Sequence, residues 1–269
     1  MSRTPVRIAI SGKGGVGKST VAALTVRLLS STLGRAVLAV DADPNATLAP
    51  MLGLDPGNSV ADLREETLEK KDAIPAGMSK DRFIELRIQQ AIVEHTGFDL
   101  LTMGRPEGPG CYCYVNNLLR RYLERVSDDY AYVVIDNEAG MEHLSRRTNS
   151  SIDLLLVVTE PTVIGVDTVR RIAELAGTLP IAVRRTAIVL NRIPPAGVSP
   201  AVAQALAATG LDVVGEIPLD LSIMEAAASG ASLLDLPDDS PVLAIVSQTL
   251  ARELGLADPA AAPLRPTAT

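Results

Sequence analysis

Short unbroken apolar runs alternate along this chain with longer stretches in which apolar side chains recur every three to four residues. The runs Val6–Ile10, Val37–Val40, Tyr132–Ile135, Leu154–Val158 and Ala187–Leu190 are brief and rich in Val, Ile and Leu. They do not alternate apolar with polar, which is the pattern of parallel strands covered on both faces. Between them the spacing predicts helices over Lys18–Ser31, Phe83–His95, Val115–Val126, Thr168–Gly177 and Pro241–Leu254. In the third of these, Val115, Leu118, Leu119, Tyr122, Leu123 and Val126 form one stripe, with Arg120, Arg121 and Arg125 off it.

Strands alternating with helices predict an α/β fold with a mostly parallel central sheet and helices on both faces. The even run of elements argues for a single domain over residues 1–256, followed by a flexible tail over 257–269 (ADPAAAPLRPTAT). In such folds ligands sit at the carboxyl ends of the strands, so the residues just after each apolar run carry most of the interest. The stretch Asp55–Ser79 is turn-rich and charged and yields no clear element. No internal repeat is present.

A chain of 269 residues buries a sizeable core without staples. Acidic residues outnumber basic ones 32 to 25, which argues against nucleic acid or an anionic membrane surface as a partner. The N-terminal MSRTPVRIAISGKGG lacks the apolar core and small-residue cleavage site of a signal peptide. No run approaches the roughly 18 apolar residues that span a bilayer. Two cysteines in a chain of this length argue against a disulfide framework and for a reducing compartment. The expected location is cytoplasmic.

Gly12-Lys13-Gly14-Gly15-Val16-Gly17-Lys18-Ser19 fits G-x-x-x-x-G-K-[ST], directly after a strand and directly before a helix. Glycines let backbone N–H groups turn inward around phosphate oxygens, and the helix offers its positive N-terminus to the same anion. Lys18 supplies a charge to the β- and γ-phosphates, the Ser19 hydroxyl is placed to ligate Mg2+, and Thr20 completes the nucleotide-binding run. The expected fold is therefore a P-loop fold and the expected cofactors are ATP and Mg2+.

The run Val40-Asp41-Ala42-Asp43-Pro44-Asn45 ends the second strand with two carboxylates, expected at strand spacing to point the same way. One, Asp41, can help hold Mg2+ while the other orients or deprotonates the attacking water. Tyr132-Val133-Val134-Ile135-Asp136 is an apolar strand ending in aspartate, similar to the Walker B form, which implies that Asp136 contacts Mg2+ through a water. The Asn137-Glu138-Ala139-Gly140 that follows resembles the switch II segment of P-loop ATPases, which implies that Gly140 can swing with γ-phosphate occupancy. There is no N-K-x-D segment to read guanine.

With Lys13 at the front of the loop, the sequence resembles the deviant Walker A ATPases, K-G-G-x-G-K-[ST]. This group includes the nitrogenase iron protein, chromosome-partitioning and cell-division ATPases, and metallochaperone ATPases. The resemblance implies that Lys13 reaches across a homodimer to the partner's nucleotide, and that Asp43 in switch I activates the water. It also implies that Asn191, in Leu190-Asn191-Arg192, binds adenine, with Pro218 of Glu216-Ile217-Pro218-Leu219-Asp220 beside the base.

Both cysteines lie in Gly108-Pro109-Gly110-Cys111-Tyr112-Cys113-Tyr114, just before an amphipathic helix. A helix N-terminus favours the thiolate, the form that ligates soft metals. Two thiolates cannot complete a tetrahedral site, but a twofold dimer brings four sulfurs to one axis. Read from Arg105 to Arg120, R-P-x-G-x-G-C-Y-C-Y-V-N-N-L-L-R looks like the nickel-insertion ATPases of carbon monoxide dehydrogenase maturation. So do S-G-K-G-G-V-G-K-S-T, V-D-A-D-P-N-A-T-L and D-N-E-A-G-M-E-H. The similarity runs from about Val6 to Leu254. It implies a dimeric MgATPase holding Ni2+ (or Zn2+) on Cys111 and Cys113 of both subunits, with the apo-form of a nickel enzyme as recipient. Acetyl-CoA synthase is a second candidate recipient, and an ATPase handling an iron–sulfur cluster is the alternative function. His95 and His143 are not expected to be ligands.

Overall fold

The computed structural model describes residues 4–33, 36–63, 75, 77–104, 129–137, 151–179 and 181–256. The expected helix Val115–Val126, the cysteine pair, Glu138, Gly140, His143 and the tail over 257–269 lie outside the described residues.

Eight strands form one sheet: β1 (Val6–Gly12), β2 (Val37–Ala42), β3 (Ile92–His95), β4 (Phe98–Thr102), β5 (Tyr132–Asn137), β6 (Leu154–Thr159), β7 (Thr186–Ile193) and β8 (Val213–Pro218). Their order is β3-β4-β2-β5-β1-β6-β7-β8. Every neighbouring pair is parallel except β3 with β4. Among the described residues the helices are α1 (Lys18–Leu33), α2 (Leu48–Met51), α3 (Lys80–Ala91), α4 (Val163–Thr178), α5 (Pro200–Ala207), α6 (Leu221–Ser229) and α7 (Pro241–Leu254), with a 3₁₀ turn at Leu233–Asp235.

Alternation along each strand feeds two cores. Ile8 and Ile10 of β1, with Val134 and Leu156, pack under Ala22, Ala23 and Val26 of α1 and Val242 and Val246 of α7. Ala9, Leu38, Ile135 and Val157 face the other way, toward Val166 and Val169 of α4 and Val202 of α5. All six residues of β2, β5 and β6 are buried, so the continuous apolar runs mark a sheet covered on both sides. A buried arginine ties the first face together. Arg27 of α1 donates to the carbonyls of Leu233 and Leu236 at 3.0 and 2.6 Å and pairs with Asp238 at 2.8 Å.

One expected helix needs correction. The run Phe83–His95 is helical only to Ala91. Ile92 turns to φ −73° and ψ 122°, and Ile92–His95 becomes the antiparallel edge strand β3. Two β-branched residues, Ile92 and Val93, open that strand. Thr96-Gly97 then closes a tight turn in which Gly97 has φ +87°, a conformation glycine takes without strain.

Candidate functional site

The carboxyl ends of β1, β2, β7 and β8 surround a cavity of about 540 Å3 lined by Gly14, Gly15, Gly17, Lys18, Ser19, Thr20, Asp43, Asn45, Thr47, Asn191, Pro218 and Met224 among others. The strand order explains the place. β1 lies between β5 and β6, so the chain departs to opposite sides on either side of it, which opens a crevice above its carboxyl end.

The loop from Gly12 to Lys18 leaves β1 there, and two of its glycines are required by close approach. Gly12 has φ +154°, and a Cβ on it would stand 2.2 Å from the Val158 carbonyl oxygen of β6. Gly17 has φ +93°, and a Cβ on it would meet the Asn191 amide nitrogen at 2.3 Å. Lys18 opens α1 and is buried, its Nζ donating to the Lys13 carbonyl at 3.4 Å. Lys13 itself is exposed. The amides of Val16 and Gly17 have no acceptor among the described residues, as suits a loop whose partner is an anion.

Below the loop, Asp41 and Asp136 stand side by side in register on β2 and β5. Asp41 accepts from the Leu48 amide at 2.8 Å and the Asp43 amide at 3.1 Å. Burial pushes its carboxyl up to about 6 despite these bonds. Asp136 is fully buried, and neither of its oxygens has a hydrogen-bond partner among the described residues. Burial pushes it up to about 7, the Ser19 hydroxyl opposing and the Asp41 charge reinforcing the shift. The Ser19 hydroxyl lies 2.7 Å from that of Thr47. An orphaned buried carboxylate beside a hydroxyl at the mouth of a phosphate loop is an oxygen donor set that fits Mg2+; Ser19 and Asp136 are the residues that would hold it, with Asp41 behind them.

Asp43 is placed differently from the expectation. β2 ends at Ala42, so Asp43 opens a turn and does not repeat Asp41 on a common strand face. It is half-buried, lines the cavity, and accepts from the Asn45 backbone at 2.9 Å and side-chain amide at 3.0 Å. Asn191 and Pro218 both line the cavity, but the Asn191 amide also donates to the Val16 carbonyl at 2.8 Å. Three contacts escaped the sequence reading because they join distant segments: Thr47 on Ser19, and Arg192 bridging Gly15 and Glu160. His95 is exposed on β3, its ring 4.5 Å from that of Phe98. No group of three or more metal-binding side chains occurs among the described residues, and no described helix is long and apolar enough to cross a membrane.

Residues 8–233 match the family model described as the CobQ/CobB/MinD/ParA nucleotide binding domain. An uncharacterized ATP-binding protein of Methanocaldococcus jannaschii is 40% identical over 237 residues, covering 87% of this chain and 93% of that protein. The carbon monoxide dehydrogenase accessory protein CooC of Rhodospirillum rubrum is 32% identical over 243 residues, 86% of this chain and 90% of that one. Among solved structures, the MinC:MinD cell division protein complex of Aquifex aeolicus is alike with a TM-score of 0.68 at 22% identity. That likeness spans 97% of this chain and 98% of the other, and it is one of fold.

Proposed function

We propose that this chain, which belongs to the CobQ/CobB/MinD/ParA nucleotide-binding family of ATPases, is an ATP-driven nickel chaperone working as a cytoplasmic homodimer. The observation that carries the nickel reading is the Cys111-x-Cys113 pair in a sequence 32% identical to a carbon monoxide dehydrogenase accessory protein. Each subunit contributes two thiolates, and four sulfurs from two copies close a tetrahedral site for Ni2+ or Zn2+ as cargo. The recipient is the apo-form of a nickel enzyme such as carbon monoxide dehydrogenase or acetyl-CoA synthase.

The chain's own groups divide the work of hydrolysis. Lys18 and the loop amides hold the phosphates, and Thr20 lies where the α1 N-terminus meets them. Asp43, at the cavity wall, aligns the attacking water and accepts its proton. Lys13 of the neighbouring subunit brings charge to the phosphates when two copies meet. Asn191 and Pro218 flank the adenine end. Bound Mg2+ supplies electrophilic stabilisation of the phosphoryl oxygens. Loss of the γ-phosphate releases the segment following Asp136, and the altered dimer geometry opens the thiolate site.

The test is nickel stoichiometry of the reduced protein beside a Cys111→Ser/Cys113→Ser variant. One tightly held Ni2+ per two chains, lost in the variant, is the expected result. Absence of cysteine-dependent nickel binding would sink the chaperone reading and leave the ATPase assignment intact. Iron and sulfide on the same thiolates would instead point to cluster handling.

A further inference from the structure

Asn191 and Arg192 sit where β7 breaks register with β8, between Leu190 and Ile193. Irregularities of this kind re-aim side chains. Arg192 takes φ +57°, a backbone state that costs an L-residue and that glycine adopts freely. From this position one guanidinium nitrogen donates both to the Gly15 carbonyl and to Glu160 Oε1, each at 2.8 Å. The adjacent Asn191 amide donates to the next carbonyl of the phosphate loop, that of Val16, at 2.8 Å. Two consecutive residues of β7 thus hold two consecutive loop carbonyls.

Peptide geometry gives this a consequence. The chain has no cis peptide among its described residues. In a trans peptide the carbonyl of one residue and the N–H of the next point in opposite directions. Drawing the Gly15 and Val16 carbonyls toward β7 therefore turns the Val16 and Gly17 amides away from it, and those two amides have no acceptor among the described residues. Left unheld, glycine-flanked peptides flip readily, and an anion would have to order them on binding.

We propose that Asn191 and Arg192 form a two-point clamp behind the phosphate loop, presetting the Val16 and Gly17 amides to receive nucleotide phosphates, with Glu160 fixing the arginine. The clamp rests on the ATP-binding reading; it makes Arg192 a positioning residue for the phosphate end and gives Asn191 that task in addition to its place beside the adenine. The strained backbone at Arg192 is the means by which its side chain reaches Gly15.

The test uses the full-length protein and the variants Arg192→Gly and Arg192→Lys, with ADP and inorganic pyrophosphate as ligands competing against a fluorescent nucleotide. Glycine removes the clamp but suits the φ of the site, so the unfolding temperature without nucleotide should equal or exceed that of wild type. Affinity for ADP and for pyrophosphate should fall by the same factor, about tenfold, as expected for loss of one charge-assisted hydrogen bond. Lysine, which keeps a donor, should restore part of it, whereas a residue needed only for the turn would gain nothing from lysine. ADP affinity within twofold of wild type in Arg192→Gly overturns the clamp. So does a loss confined to ADP with pyrophosphate unchanged, since that places Arg192 at the base. Failure of the wild type itself to bind ATP or ADP overturns the nucleotide reading on which the clamp rests.

Discussion

A carboxylate with no partner, walled off from water beside a second carboxylate, is costly unless a cation shares the site. Asp136 is in that position, and Asp41 stands next to it. Both carboxyls are raised above the ordinary 3.8, to about 7 and about 6. The folded chain therefore binds more protons than the unfolded chain between about pH 4 and pH 7. Stability of the metal-free protein should fall as pH rises through that window and level off above it. Thermal unfolding between pH 5 and pH 8 checks this, and a flat or rising profile contradicts it. The same reasoning predicts that Asp136→Asn stabilises the metal-free protein at pH 8 by about 1–4 kcal/mol while abolishing Mg2+-dependent hydrolysis. The sequence made both aspartates and the lysines of the loop legible, because a fixed motif sits at fixed spacing beside a strand. It could not show Thr47 on Ser19 or Arg192 on Gly15, since contacts across 28 and 177 positions exist only once the sheet is assembled.

Among the elements, α1 carries the most. It presents the loop at one end and holds the 3₁₀ turn through Arg27 further along. Replacing Arg27 by alanine strips two buried carbonyls of their donor, so unfolding free energy should fall by about 2–4 kcal/mol, while ATP affinity of the folded protein stays within about twofold. Denaturant titration and nucleotide binding on one preparation separate the two effects. Gly12→Ala should be worse: its methyl meets the backbone of β6, which cannot swing aside as a side chain does. A loss of at least about 2 kcal/mol is expected, read as poor soluble yield or an early unfolding midpoint. Strands β1, β2, β5, β6 and β7 were readable as apolar runs, and α7 was found with its bounds intact. Two kinds of element were not. α5, Pro200–Ala207, is half alanine, so its apolar face is too small to show a period. Strand β3 was absorbed into the expected helix Phe83–His95 because it continues the helix without a break, and only Gly97 signalled the turn to β4.

For the molecule as a whole, the exposed Lys13 links the single chain to its proposed dimer. Lys13→Ala should retain ATP binding within a few-fold yet lose about a hundredfold or more in hydrolysis, the scale at which removal of a transition-state charge is felt. Equal rates in wild type and variant would remove the cross-subunit role. An excess of acidic residues, 32 against 25, makes two copies repel weakly at a distance, so nucleotide-dependent dimerisation measured by light scattering should strengthen with moderate salt.

The sheet order also governs how the protein is made. β1 leaves the ribosome well before the strands that flank it, since Val6 pairs with Tyr132 and Ile8 with Leu154. At about 5–20 residues per second, the apolar strand that will become the centre of the sheet waits on the order of ten seconds with no partner to cover it. During that interval the nascent chain offers a sticky edge to whatever is near. Chaperone occupancy on translating ribosomes should therefore begin once β1 has emerged and drop sharply only after β6 has followed it.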